Sequence, residues 1–243
     1  MKKLLTILLT LSISINIFSQ VYIGSRLGLN MSTSSVMPEL VDYSKISQFS
    51  PKLGVNAGLV IKYKMKNSIA LQTEINYNMK GLKAKVDETI NDTALTGKWN
   101  YSFGYIEVPL MAKFLFGESR VGPFVEIGGY YGYFISAKYN EYAKYGDKEI
   151  LDTEYKLDID FENEADNQKA NRNEFGFKAG LGYNFEIDNS LLFVSLRYSQ
   201  GLTDIITYKT KPDNYSKTYN RTFQIAIAYL FELGNKEVKE YWY

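Results

Sequence analysis

From Val21 to Phe231 the chain alternates apolar residues with small or polar ones. A period of two predicts strands, and eight segments carry it: Val21–Asn30, Lys52–Tyr63, Ile69–Lys80, about Tyr101–Phe116, Val121–Ala137, Glu174–Ile187, Leu191–Ser199 and Arg221–Phe231. In the second segment Leu53, Val55, Ala57, Leu59, Ile61 and Tyr63 share one face. Across all eight the opposite face holds Gly24, Gly28, Gly54, Gly58, Gly122, Gly128, Gly132, Gly176, Gly180 and Gly182, mixed with isolated charges. Glycine weakens a strand and packs nothing, so a water-facing surface has no reason to select it. The interior of a narrow barrel has one, because large polar side chains need gaps to fit into. The apolar face is then the outside. The expected fold is all-β: an eight-stranded antiparallel up-and-down transmembrane β-barrel, apolar outside and polar inside.

The connections support this reading. Lys64–Ser68, Gly117–Arg120 and Asp188–Ser190 are short, whereas Met31–Pro51, Gly81–Asn100, Tyr139–Asn173 and Gln200–Asn220 are long. Outer-membrane barrels pair short periplasmic turns with long extracellular loops, which puts both chain ends in the periplasm. Pro109 and Pro123 fall inside strands, so a bulge is expected at Pro109. Counting back from the short turns places Asn56 opposite Asn76, Gly58 opposite Glu74, and Lys113 diagonal to Glu126.

Lys2 and Lys3 precede a mostly apolar run from Leu4 to Ile17, too short for a membrane span but suited to a signal peptide, residues 1–19. The barrel is expected over 20–231 and a periplasmic tail over 232–243, whose Tyr241-Trp242-Tyr243 is amphipathic. There is no Cys and no His, which removes disulfides, thiolate chemistry and the commonest general base and metal ligand. A net charge of +1 gives no basis for nucleic-acid binding. The 21 Tyr fit a membrane interface, where one end of the ring is apolar and the other wet.

Chemistry-bearing residues on the inward face are Arg26, Lys62, Glu74, Glu107, Lys113, Glu126, Lys178, Glu186 and Arg197. Eight strands enclose a space only just wide enough for their own side chains. Arg26, Glu74, Glu107, Lys113, Glu126, Lys178 and Arg197 are therefore expected to form a structural polar network rather than a solute path. No nucleophile–base pair can be named, so no enzyme, no cofactor and no metal site is expected. The acidic stretch within Tyr139–Asn173, including Asp158, Asp160, Glu162 and Glu164, lacks the glycine of a calcium-loop pattern; it reads as a solvated strand extension, with cation binding as the alternative.

A set of ordered motifs resembles the small outer-membrane β-barrel family common in Bacteroidetes, often labelled PorT-like. They are Gly28-Leu29-Asn30; Pro51 with Gly54 and Gly58-Leu59; Leu71-Gln72-Thr73-Glu74 with Tyr77 and Lys80-Gly81; Tyr105-Ile106-Glu107-Val108-Pro109-Leu110; Gly122-Pro123-Phe124 through Gly132-Tyr133; and Arg197-Tyr198-Ser199-Gln200-Gly201-Leu202-Thr203-Asp204-Ile205. The resemblance implies an outer-membrane barrel and little about activity. One namesake branch is linked to type IX protein secretion, and no residue here singles out that branch. Two classes follow: a structural or interaction protein, accessory to secretion or assembly machinery, or a narrow transporter or receptor using the long loops. Expected partners are outer-membrane lipid and an envelope protein, not nucleic acid; the sequence leaves the oligomeric state open.

Overall fold

Strands β1 (Gln20–Ser34), β2 (Gln48–Lys66), β3 (Ile69–Ile90), β4 (Thr93–Leu115), β5 (Gly122–Tyr145), β8 (Asn173–Ile187), β9 (Ser190–Gly201) and β11 (Asn220–Leu233) form a ring in the computed structural model. Every neighbouring pair is antiparallel, and β4 pairing with β5 closes it. Three further strands lie outside the ring: β6 (Lys148–Leu157) pairs with β5, and the short β7 (Gln168–Ala170) with β10 (Ile206–Tyr208). The structure describes residues 20–34, 48–66, 68–90, 92–116, 121–157, 168–188, 190–208, 210 and 217–233. Residues 1–19, read from sequence as a signal peptide, the acidic residues 158–167 and the residues from 234 onward lie outside the described residues. Glu232 and Leu233, assigned to the tail from sequence, belong to β11.

Burial alternates residue by residue, most regularly along β11. The exposed series is apolar: Leu53 is 70% exposed, Leu59 and Leu110 62%, Leu27 61%. A continuous apolar exterior of this extent needs hydrocarbon around it. Aromatic pairs border it. Tyr131 and Phe175 lie 5.2 Å apart at one rim, with Tyr183–Phe185 at 4.8 Å and Tyr229–Phe231 at 5.0 Å at the other.

The interior is layered. Its middle is polar, but both ends are apolar. At the lower, short-turn end Tyr22, Val60, Phe124, Leu191, Phe193, Ala228 and Leu230 form one buried cluster. At the upper end Leu82, Ala84, Tyr101, Phe103, Tyr105, Phe134 and Ala137 form another, with Trp99 and Tyr139 packed against it.

Two of the stretches read as long loops are largely strand. β3 and β4 continue as one hairpin whose ladder runs to Ile90↔Thr93, and β5 continues to Tyr145 before turning through Gly146 (φ 57°) into β6. The reason lies in the surroundings. Inside the membrane the apolar residues point out; above it the outer face meets water, so Lys83, Lys85 and Asp87 point out and Leu82, Ala84 and Val86 point in. The apolar phase therefore inverts after Lys80-Gly81, which looks in sequence like the end of a strand. In β5 a bulge opposite Gly104/Tyr105 makes the same adjustment, leaving Phe134 and Ala137 both buried.

Pro109 carries no bulge. It stays in register opposite Tyr130, and its missing N–H coincides with a gap in the β3–β4 ladder between Leu110 and Glu107. The β2–β3 register also differs from the count. Pairing continues past an irregularity at Lys64/Lys66 to Lys66↔Ile69, within the stretch read as the turn, so Asn56 faces Asn78, Gly58 faces Asn76, and Glu74 faces Val60. A two-residue slip preserves the face and changes the partner. Lys113 and Glu126 are directly opposed rather than diagonal.

Candidate functional site

The polar middle of the barrel is built by inward positions of all eight ring strands. Arg26, Glu74, Glu107, Lys113, Glu126, Lys178 and Arg197 are each 2% exposed or less. Lys62 is also buried, whereas Glu186 is exposed and outside the lumen.

Two ion-pair assemblies are stacked along the axis. In the lower one Glu74 is the hub. Arg197 donates to both its oxygens, from Nη2 at 2.7 Å and Nη1 at 2.9 Å, and Arg26 Nη1 approaches the same two oxygens at 3.3 and 3.2 Å. Gln72 and Asn76 donate to Glu74 from the same strand. The other side of the Arg197 fork holds Glu126 through Nε and Nη2. Glu126 also faces Lys113 at 3.4 Å. Lys113 Nζ sits 3.8 Å from the Phe124 ring centroid and 3.9 Å from that of Phe193, bridging the ion pairs to the lower apolar cluster. Arginine suits this position because its planar fork satisfies two carboxylates at once.

In the upper assembly Glu107 pairs with Lys80 at 2.6 Å and Lys178 at 2.5 Å. Lys80 also donates to both oxygens of Glu174 at 3.0 Å. Tyr130 donates its hydroxyl to Glu174 at 2.6 Å, and Asn220 donates to Glu174 at 3.1 Å and to the Tyr105 hydroxyl at 3.2 Å. An amide layer lies between the assemblies: Asn56 and Gln224 donate to Asn30 Oδ1 at 2.7 and 3.1 Å, and Gln224 also donates to Asn78 Oδ1 at 2.9 Å. Asn78 in turn donates to Glu107 at 2.7 Å.

Lys80, Glu174, Tyr130 and the amide layer were not singled out from sequence. The signal was present: Lys80 shares the face of Asn76 and Asn78, and Glu174 shares the parity of Gly176, Lys178 and Gly180. Chemically the arrangement offers neutralisation. Each carboxylate is held by two or more cationic or hydrogen-bonding groups, and among the described residues no cluster of three His, Cys, Asp or Glu is placed to hold a metal ion.

The family profile described as "Outer membrane protein beta-barrel domain" matches residues 16–207. The chain belongs to this outer membrane protein β-barrel family. As a member of this family it resides in the outer membrane, with lipid around its apolar band. Solved structures similar to this barrel include OprG from Pseudomonas aeruginosa, 11% identical, covering 89% of this chain and 97% of that one, with a TM-score of 0.48. They include Ail of Yersinia pestis, 14% identical over 86% and 98% of the two chains, TM-score 0.35. Neisserial surface protein A is 11% identical over 89% and 100%, TM-score 0.40. No curated protein matches the chain.

Proposed function

We propose that this outer-membrane barrel is non-enzymatic, with a plugged lumen, and that it acts as a structural or interaction protein of the cell envelope. The observation that carries this reading is the layering of the interior. A polar middle whose carboxylates are all paired, closed by an apolar cluster at each end, gives solutes no continuous wet path. The surface that can meet a partner is instead the sheet that β3, β4, β5 and β6 raise above the apolar band. An accessory role beside secretion or assembly machinery, as the resemblance to the Bacteroidetes family implies, uses such a surface and needs no pore. The polar network serves as an internal scaffold holding the eight strands in register.

Two measurements test this. Purified protein in planar bilayers should show no stable porin-sized conductance; large reproducible openings would refute the plugged lumen. Detergent extraction and pull-down with the full chain should recover an envelope protein, and recovery should fall when the tip of the β3–β4 hairpin is deleted. Unchanged recovery would remove the interaction reading and leave the structural one.

A further inference from the structure

Among the described residues the lower part of the lumen holds four basic side chains and two carboxylates. Arg26, Lys62, Lys113 and Arg197 are all 2% exposed or less, and the carboxylates among them are Glu74 and Glu126 alone. The upper assembly has two cations, Lys80 and Lys178, for its two carboxylates, Glu107 and Glu174. A buried surplus of positive charge within the thickness of a bilayer is costly unless something neutralises it.

The surplus coincides with unpartnered donors. Arg26 gives only Nη1 to Glu74; its Nε and Nη2 are buried and have no hydrogen-bond partner among the described residues. The Ser195 hydroxyl is also buried without a partner. In the register Ser195 lies two strands across the ring from β1: it faces Ala226, Ala226 faces Gly28, and Arg26 is the next inward residue along β1. The positions bordering Arg26 are small, with Gly24 and Gly28 on its own strand, Gly58 opposite on β2 and Ala228 opposite on β11. Lys62, lower in the lumen, lies over the Tyr22 ring at 5.7 Å and forms no ion pair among the described residues.

We propose that the lower assembly binds one small monovalent anion of the halide class, held by Arg26 Nε and Nη2 beside the Ser195 hydroxyl. Water would satisfy the donors but not the charge; a halide does both. The apolar clusters at either end make this a trapped ion, taken up as the barrel closes and not in transit. It therefore acts as a folding cofactor, and its effect appears when the barrel is refolded.

The test is refolding of the full mature chain from denaturant into detergent, in sodium chloride or in sodium gluconate at equal ionic strength. Gluconate is too bulky for a lumen of this width. The fraction refolded should rise saturably with chloride, by about a hundred-fold in the folding equilibrium where chloride is a hundred times its Kd. Crystals grown from protein refolded in bromide should show an anomalous peak within hydrogen-bond distance of Arg26. Lys62→Met, which removes one surplus charge without touching the donors, should bind more weakly and need more chloride for the same response. Equal refolding in chloride and gluconate, a bromide map without a peak at Arg26, or an unchanged chloride response in Lys62→Met would each overturn the proposal.

Discussion

Replacing Glu74 by glutamine tests the energetic role of the lumen most directly. The side chain keeps its shape but loses the charge on which two guanidiniums converge. Arg197 retains Glu126 through Nε and Nη2, so it is only half deprived. Arg26 loses the one carboxylate it meets among the described residues, because its hydrogen bonds there go to Glu74. One amide hydrogen now also points at a cation. Removing one partner of a buried ion pair costs about 3–5 kcal/mol, because the survivor is left uncompensated. The loss of Glu74 therefore belongs at the upper end of that range, a large share of the ~5–15 kcal/mol that holds a typical fold together. Urea unfolding in lipid vesicles, followed by heat-modifiable gel mobility, measures it. The double replacement Arg26→Met with Glu74→Met removes charge from both sides and should recover part of the loss, since apolar substitution of a whole buried pair is often neutral. A Glu74→Gln variant within ~1 kcal/mol of wild type would refute the argument that this carboxylate organises the lower lumen.

Three further outcomes follow from the geometry. Gly58→Leu should abolish the folded, heat-modifiable band, because a Cβ there would lie 2.1 Å from Asn76 Oδ1 and 2.3 Å from the Ile75 carbonyl oxygen; normal folding of this variant would contradict the inward assignment of the glycine face. Above the membrane the Tyr101 phenol is pushed up to about 12 by burial, with Tyr139 and Glu141 adding to the effect. Its folded-state pKa exceeds the unfolded value, so its contribution is complete below about pH 10 and is lost as the pH rises through 12. Ultraviolet difference titration of wild type against Tyr101→Phe should locate that ionisation, and a midpoint near 10 would contradict the packing of the upper cluster. Replacing Glu174 by alanine should leave Lys80 with Glu107 alone and unpair the Tyr130 hydroxyl, giving a lower melting temperature by circular dichroism in detergent; an unaltered melt would show that the upper assembly adds no stability.

Which residues look outward across the membrane and which look inward is legible in the chain before it folds. Period-two alternation fixes the face, and glycine on the polar face reveals a confined interior. Arg26, Glu74, Lys113, Glu126 and Arg197 could all be placed on one surface that way, because parity is a local property of a strand. What parity cannot supply is the partner. Glu74 was counted opposite Gly58 and stands opposite Val60, since pairing that continues past Lys64 to Lys66↔Ile69 sets a register two residues away without changing any face. Its hydrogen bonds to Arg26 and Arg197 join residues 48 and 123 positions away, and only the closed ring brings them together. The strand ends were hidden for a different reason. The alternation that marks a membrane strand inverts where β3 leaves the bilayer, so Leu82, Ala84 and Val86 resembled a loop until the paired hairpin gave them an interior. The apolar clusters at the two ends of the lumen were likewise a matter of tertiary structure. Phe124 and Phe193 lie on the inward face of their strands as the charges do, and their ring centroids, 5.9 Å apart, meet only because β5, β8 and β9 are neighbours in the barrel.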